Sequence, residues 1–314
     1  MNRRLFTRLT TGAVLTIPAR AIAQTMRTTV RVGTIAIDNG AEVFYAQDRG
    51  LFEKAGLSVE ITTMSNGGAI VAAVASGALD VGFSNLFSVV AAFARGIPVR
   101  VIAPASLYLN TSPAQALIVL KDSPYHTGKD LDGKTVGCDG LKGISQITAE
   151  AWIDAHGGDS KSVKFIEVPL PLMAQALLQH RIDAGNGALS TDPTLGTPQA
   201  TDRILGYPND AVSKRFLTSG WISNVSWINA NGDAVRRFGD ATLEAGRWAN
   251  ANQTASGKIL MKYGKLTPTL MRVLSHFRAP YAEDLDPALI APVIAFSVRY
   301  GIIANAFPPE DLVA

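Results

Sequence analysis

Residues 72–85 read AAVASGALDVGFSN, and residues 175–188 read QALLQHRIDAGNGA. At an offset of 103, Ala73 aligns with Ala176, Val74 with Leu177, Leu79 with Ile182, Asp80 with Asp183 and Gly82 with Gly185. Val32-Gly33 aligns with Val136-Gly137 at an offset of 104. A period this long exceeds any solenoid unit and implies two lobes of similar winding within one chain. Each copy runs helix, turn, aspartate, strand. Asp80 and Asp183 are therefore read as groups that hydrogen-bond turn backbone rather than as ligands.

Around the repeat, strand-like and helix-like segments alternate, which predicts α/β lobes with parallel sheets covered by helices. Val30–Ile37, Leu57–Met64, Leu79–Ser84 and Val99–Ala103 read as strands; Ala41–Lys54, Gly68–Ser76 and Leu86–Arg95 read as helices. The pattern restarts after Ala116–Leu120, with strands at Lys134–Cys138, Lys164–Val168 and Ile182–Ala184, and helices at Ile144–His156 and Leu172–His180. Trp221–Ile228 reads as a further strand. The rest is helical, with Asp233 as an N-cap and Pro268 and Pro287 in first turns. These last helices are expected to return and cover the first lobe. Lobe one is then 27–120 plus 223–314, and lobe two 121–222. The chain crosses near Leu120 and again near Ser219–Trp221, a double-crossover hinge with a cleft between the lobes.

The precursor has 314 residues, 29 Lys+Arg against 26 Asp+Glu, and 18% charged residues. Its basic balance lies in residues 1–23, where Arg3, Arg4 and Arg8 precede a short apolar stretch and Ala21-Ile22-Ala23. That is the pattern of a cleavable secretory signal, of twin-arginine or Sec type. Losing it removes four arginines and leaves a net charge of about −1, so no nucleic-acid partner is expected. The single cysteine, Cys138, excludes an internal disulfide and a multi-thiolate zinc site.

The run from Tyr45 to Glu60, with Gly50, Phe52, Gly56, Leu57, Val59 and Glu60, resembles a known family. So do Ser76-Gly77-Ala78-Leu79-Asp80-Val81-Gly82, the Asp130–Gly137 entry to lobe two, Asp192-Pro193, and Trp248-Ala249-Asn250-Ala251-Asn252. The family is the periplasmic substrate-binding proteins of nitrate, sulfonate and taurine ABC importers, with their thiamine-pyrimidine-synthesis-like relatives. The resemblance implies a two-lobed periplasmic-binding-protein fold, type II. It also implies a monomer that closes on a small-molecule ligand and delivers it to an ABC permease and ATPase, without a cofactor.

Ligands in open α/β sheets bind beyond the carboxyl ends of the strands. That rule selects Asp38 and Asn39, then Asn66 and Gly67 before a helix, then Ser84 and Asn85. In lobe two it selects Gly143 and Ser145 in the glycine-rich turn after Cys138, then Asn186, Thr191 and Asp192. Lys142 would add charge to that turn, and Asp139 would oppose it. Trp221, at the return crossing, reads either as an aromatic wall or as core. Loops rich in Asn, Ser, Thr and Gly and poor in Arg disfavour a doubly charged phosphate; the expectation is a small organic carboxylate or sulfonate, aromatic ones included, with a neutral heterocycle next. No catalytic spacing emerges from His126, His156, His180 and His276, and Cys138 reads as a buried structural thiol. The cysteine cluster of some pyrimidine synthases is absent. An enzyme on the same fold, pyrimidine- or menaquinone-pathway-like, is the alternative.

Overall fold

The computed structural model describes residues 27–188, 200–264 and 280–314. Two five-stranded sheets share one plan. In the first, β1 (Thr28–Thr34), β2 (Leu57–Thr63) and β3 (Val81–Asn85) run parallel. β12 (Ser219–Asn224) lies antiparallel between β3 and β4 (Val99–Pro104), giving the order β2-β1-β3-β12-β4. In the second, β7 (Thr135–Cys138), β8 (Lys164–Glu167) and β9 (Ala184–Ala188) run parallel. β6 (Gln115–Leu120) lies antiparallel between β9 and β10 (Asp202–Gly206), giving β8-β7-β9-β6-β10. In each sheet the antiparallel fourth strand is the one that has just arrived from the other lobe.

The sequence repeat is the packing code of these sheets. Gly33 pairs with Gly82 on adjacent strands, and Gly137 pairs with Gly185. A Cβ on Gly33 would lie 2.4 Å from Leu79 Cδ1, and one on Gly137 would lie 2.8 Å from Ile182 Cδ1. On Gly82 it would meet Ile70 Cγ2 at 2.4 Å; on Gly185, Met173 Cγ at 2.6 Å. The bare backbone thus lets a helix sit close on each sheet. The aspartates also act alike, but on the neighbouring strand rather than on the turn itself. Asp80 accepts from the Arg31 N–H at 2.8 Å, and Asp183 from the Thr135 N–H at 2.9 Å.

The expected boundary between residues 120 and 121 moves. β6 belongs to the second sheet, because β9 and β10 satisfy its backbone groups. Its Ala116 and Ile118 pack on one face and its Leu117 and Val119 on the other, so a strand buried on both sides carries a continuous apolar run. Ser219–Ile222, read with lobe two, belongs to the first sheet. The chain changes lobe between β5 (Leu107–Leu109) and β6, and between β11 (Arg215–Leu217) and β12; β5 and β11 pair antiparallel as the hinge.

The helices are α1 (Glu42–Asp48), α2 (Leu51–Lys54), α3 (Gly67–Ala75), α4 (Leu86–Ala94), α5 (Ile144–Ala155), α6 (Met173–Leu178), α7 (Val225–Ala230), α8 (Gly232–Ala251), α9 (Gln253–Gly264) and α10 (Ala291–Arg299). The single helix read over Ala41–Lys54 breaks at Gly50, whose φ of +68° is a left-handed conformation that glycine adopts without strain. The strand read over Trp221–Ile228 ends at Asn224, whose side chain accepts from the Ser226 N–H at 2.9 Å and starts α7. Asn231, not Asp233, occupies the N-cap of α8; Asp233 lies in the first turn. Pro287 opens a 3-10 turn as expected, and Pro268 lies outside the described residues. α8 and α9 return to lobe one, where Phe238 stacks on Phe52 at 5.5 Å and Tyr263 on Phe44 at 5.1 Å.

Candidate functional site

Between the sheets, on the strand-end side, lies a cleft, open to solvent on one side, with an internal cavity of about 60 Å³. Lobe one contributes Ile35, Asn39, Phe83 and Asn85; lobe two contributes Gln115, Asp139, Ile144, Ser145 and Asn209. The hinge side contributes Ser106, Tyr108, Thr218 and Ser219.

Asn39, Asn85 and Ser145, all chosen from sequence, line this cleft. Asn39 donates from Nδ2 to Ser106 Oγ at 3.0 Å. Asn85 caps α4 by accepting from the Ser88 N–H at 2.9 Å, and its Nδ2 donates to Ser88 Oγ at 3.1 Å. Ser145 donates to Asp139 Oδ1 and accepts from the Asp139 N–H at 3.2 Å. The Asp139 carboxyl is pushed up, first by burial; the Ser145 hydrogen bond opposes that shift and the nearby Glu167 charge adds to it. Gly143 is the extended N-cap of α5 and has no side-chain cap. It faces Asn85 and Ser88 across the seam between the lobes, and Asn66 lies opposite Gly140 on the same seam.

The other expected residues have structural duties. Asp38 is buried and accepts from the Tyr45 and Tyr281 hydroxyls. Asn66 caps α3 by accepting from the Ala69 N–H at 2.9 Å. The Gly67 carbonyl accepts from Ser84 Oγ at 3.1 Å, and Ser84 is fully buried. Asn186 is buried as a strut of lobe two: its Nδ2 donates to the Ser145 carbonyl at 2.6 Å and to Thr148 Oγ1 at 3.1 Å. Trp221 is core, not wall. It is fully buried, and its Nε1 donates to Glu42 Oε2 at 2.8 Å. Lys142 is exposed and takes a positive φ of 57°, away from the cleft lining. Thr191 and Asp192 lie outside the described residues.

The sequence reading missed the hinge-side hydroxyls. Ser106 Oγ lies 2.8 Å from Thr218 Oγ1 and also bonds Ser219 Oγ, with all three residues buried. Pairing of β5 with β11 brings them together from distant parts of the chain. The available signal was that Thr218 and Ser219 lie at the return crossing between β11 and β12. Cys138 turns its Sγ to the Ile166 carbonyl at 3.5 Å, and its thiol is pushed up to about 12, chiefly by burial. Such a thiol is a poor nucleophile at neutral pH. His126, His156 and His180 are exposed, and His276 lies outside the described residues. No helix among the described residues is long and apolar enough to cross a membrane.

Two sheets of matched order, a paired hinge and a cleft between them define a two-lobed periplasmic-binding-protein fold of the second type. The family model described as NMT1/THI5 like matches residues 38–256, and the chain belongs to that family. The chain is similar to the 4-amino-5-hydroxymethyl-2-methylpyrimidine phosphate synthase of Aspergillus parasiticus, at 24% identity over 86% of this chain and 81% of that protein. The Schizosaccharomyces pombe protein of the same name is 34% identical over 105 residues, which span 33% of this chain and only 29% of that protein. A Brucella abortus protein named as a binding protein is 25% identical over 85% of this chain and 80% of its own length. The solved alkanesulfonate-binding protein SsuA from Xanthomonas axonopodis pv. citri, bound to MOPS, superposes with a TM-score of 0.76. Its identity is 17%, covering 91% of this chain and 98% of that one.

Proposed function

We propose that this chain is the exported solute-binding component of an ABC import system. It closes its lobes on a small polar organic solute and hands that solute, unaltered, to a membrane permease driven by an ATPase. The carrying observation is the cleft itself, held between two lobes by a paired hinge and lined by hydroxyls, amides and apolar side chains. Such a lining supplies hydrogen bonds and contact area, while the Cys138 thiol is turned away from it. The N-terminal arginines and Ala21-Ile22-Ala23 support export by a cleavable signal.

The expectation of a carboxylate or sulfonate is weakened. No Lys, Arg or His is among the described lining residues to pair with an anion, and the one acidic group there is Asp139, whose carboxyl burial pushes up. The proposal therefore widens to polar solutes in general.

The names of the fungal relatives carry a second reading, an enzyme of pyrimidine synthesis on this fold. Incubating purified protein with candidate solutes, then separating and weighing the recovered material, decides between the two. Binding with quantitative recovery of the solute is expected; a new product formed in proportion to protein would overturn the transport reading.

A further inference from the structure

Tyr281 is not among the described residues that line the cleft, yet it grips two that are. Its hydroxyl donates to the backbone carbonyl of Asp38. That carbonyl also accepts from the Ala41 N–H at 3.2 Å, so both of its lone pairs are engaged. The peptide plane from Asp38 to Asn39 is rigid, so fixing its oxygen fixes where the Asn39 side chain starts. Asn39 then donates from Nδ2 to Ser106 Oγ at 3.0 Å, and both residues line the cleft.

The backbone around the same tyrosine holds Ser106. Tyr281 and Ser106 face each other in an isolated antiparallel bridge. There the Leu107 N–H donates to the Pro280 carbonyl at 2.8 Å, and the Ala282 N–H to the Ala105 carbonyl at 2.9 Å. Tyr281 is itself tied to α8: its N–H donates to Asn250 Oδ1 and its carbonyl accepts from Asn250 Nδ2, both at 3.0 Å. Its ring is buried, edge-on to Tyr45 at 6.1 Å. The loop after β1 and the crossing after β4 thus take their relative position from one tyrosine anchored on α8.

We infer that Tyr281 is a positioning residue for the cleft: it holds Asn39 and Ser106 together, so that they meet a solute as one preformed polar edge. The inference rests on the reading of the cleft as a solute site and adds what prepares that site from behind. An amide already held in place need not be ordered by the solute, so less of the binding free energy is lost on closing.

The test uses the full chain, isotope-labelled for NMR. The side-chain amide resonances of Asn39, identified by their loss in Asn39→Ala, report its bond to Ser106 directly. Tyr281→Phe keeps the ring and the backbone bridge and removes the hydroxyl. It should move those resonances towards the positions of a solvent-exposed amide. Tyr45→Phe removes the neighbouring hydroxyl, which donates to the Asp38 carboxyl at 3.3 Å rather than to the carbonyl, and should leave them in place. Benzamide, benzoate and benzenesulfonate, each a ring with a polar head, are then titrated by calorimetry. Tyr281→Phe should weaken whichever binds tightest by roughly fivefold, and should add no further loss to Asn39→Ala. Resonances that move in Tyr281→Phe alone uphold the inference. Unmoved resonances in that variant, or equal movement in Tyr45→Phe, would overturn it whether or not a probe binds. So would a probe affinity that Tyr281→Phe leaves unchanged, or losses that add in the double variant. Conversion of a bound probe into product would sink the transport reading and leave the role of Tyr281 standing.

Discussion

Glu42 carries a fully buried carboxyl in lobe one, with Trp221 Nε1 donating to Oε2 and no partner for Oε1. Burial raises its pKa well above the ordinary 4.5; the Trp221 bond opposes that shift and Asp38 adds to it. The folded chain therefore holds this proton more tightly than the unfolded chain does. The associated stability is fully present below the unfolded pKa and is lost as pH rises toward the folded one. Glu42→Gln keeps an acceptor for Trp221 and removes the titration. Its thermal midpoint should match the parent's near pH 4 and exceed it increasingly as pH rises. Parallel midpoint curves for the two proteins would refute this role. The same contact explains why Trp221 was ambiguous in sequence. Its indole has an apolar body and one polar N–H, and only the position of Glu42, far away in the chain, allows both to be buried.

At the scale of elements, the glycines of the repeat are packing devices. Gly82→Ala drives a methyl into Ile70 and Val74, which would lie 2.4 and 2.8 Å away. Overpacking of this kind should cost about 1–3 kcal/mol, read as a lower denaturation midpoint at unchanged m-value. A loss below about 0.5 kcal/mol would mean that α3 is free to move off the sheet. Most elements were legible because strand and helix periods differ and Gly and Asn mark the ends. Where elements were misread, a short-range cue was overruled or overlooked. Gly50 splits a continuous amphipathic pattern, and Asn224 converts the tail of a β-rich run into a helix. β6 was assigned to the wrong lobe because an apolar run states that a strand is buried, not which sheet pairs with it.

Across the whole molecule, the lobes meet at more than the cleft. Ile144 and Ile147 of α5 pack against the core of lobe one. On the periphery, the Tyr300 hydroxyl donates to Asp154 Oδ2 at 3.0 Å, from the end of α10 to the C-terminal half of α5. Burial and the Asp154 charge push the phenol up, so it stays protonated and donating across the ordinary pH range. Tyr300 is not among the described residues that line the cleft, so removing its hydroxyl tests the lobe contact rather than a direct contact with a solute. Tyr300→Phe should weaken solute binding by roughly fivefold, equivalent to about 1 kcal/mol for one hydrogen bond. Small-angle scattering should show a larger radius of gyration for the solute-free variant. Unchanged affinity and unchanged scattering would mean that the bond is not coupled to closure.

Duplication, lobe number, the alternation of strands and helices and the edge of the sheet where ligands sit all follow from residues near one another in sequence. Side-chain periodicity, paired glycines and turn residues are local signals, and this chain repeats them. Which side chains enter the cleft was decided by the fold. Asn39, Asn85 and Ser145 reach it, whereas Asn66, Ser84 and Asn186 of similar chemistry spend their hydrogen bonds on caps and struts. The hinge hydroxyls of Ser106 and Thr218 come together only when β5 meets β11. A residue type fixes what a group can donate or accept; its neighbours in space determine whether anything is left for a ligand.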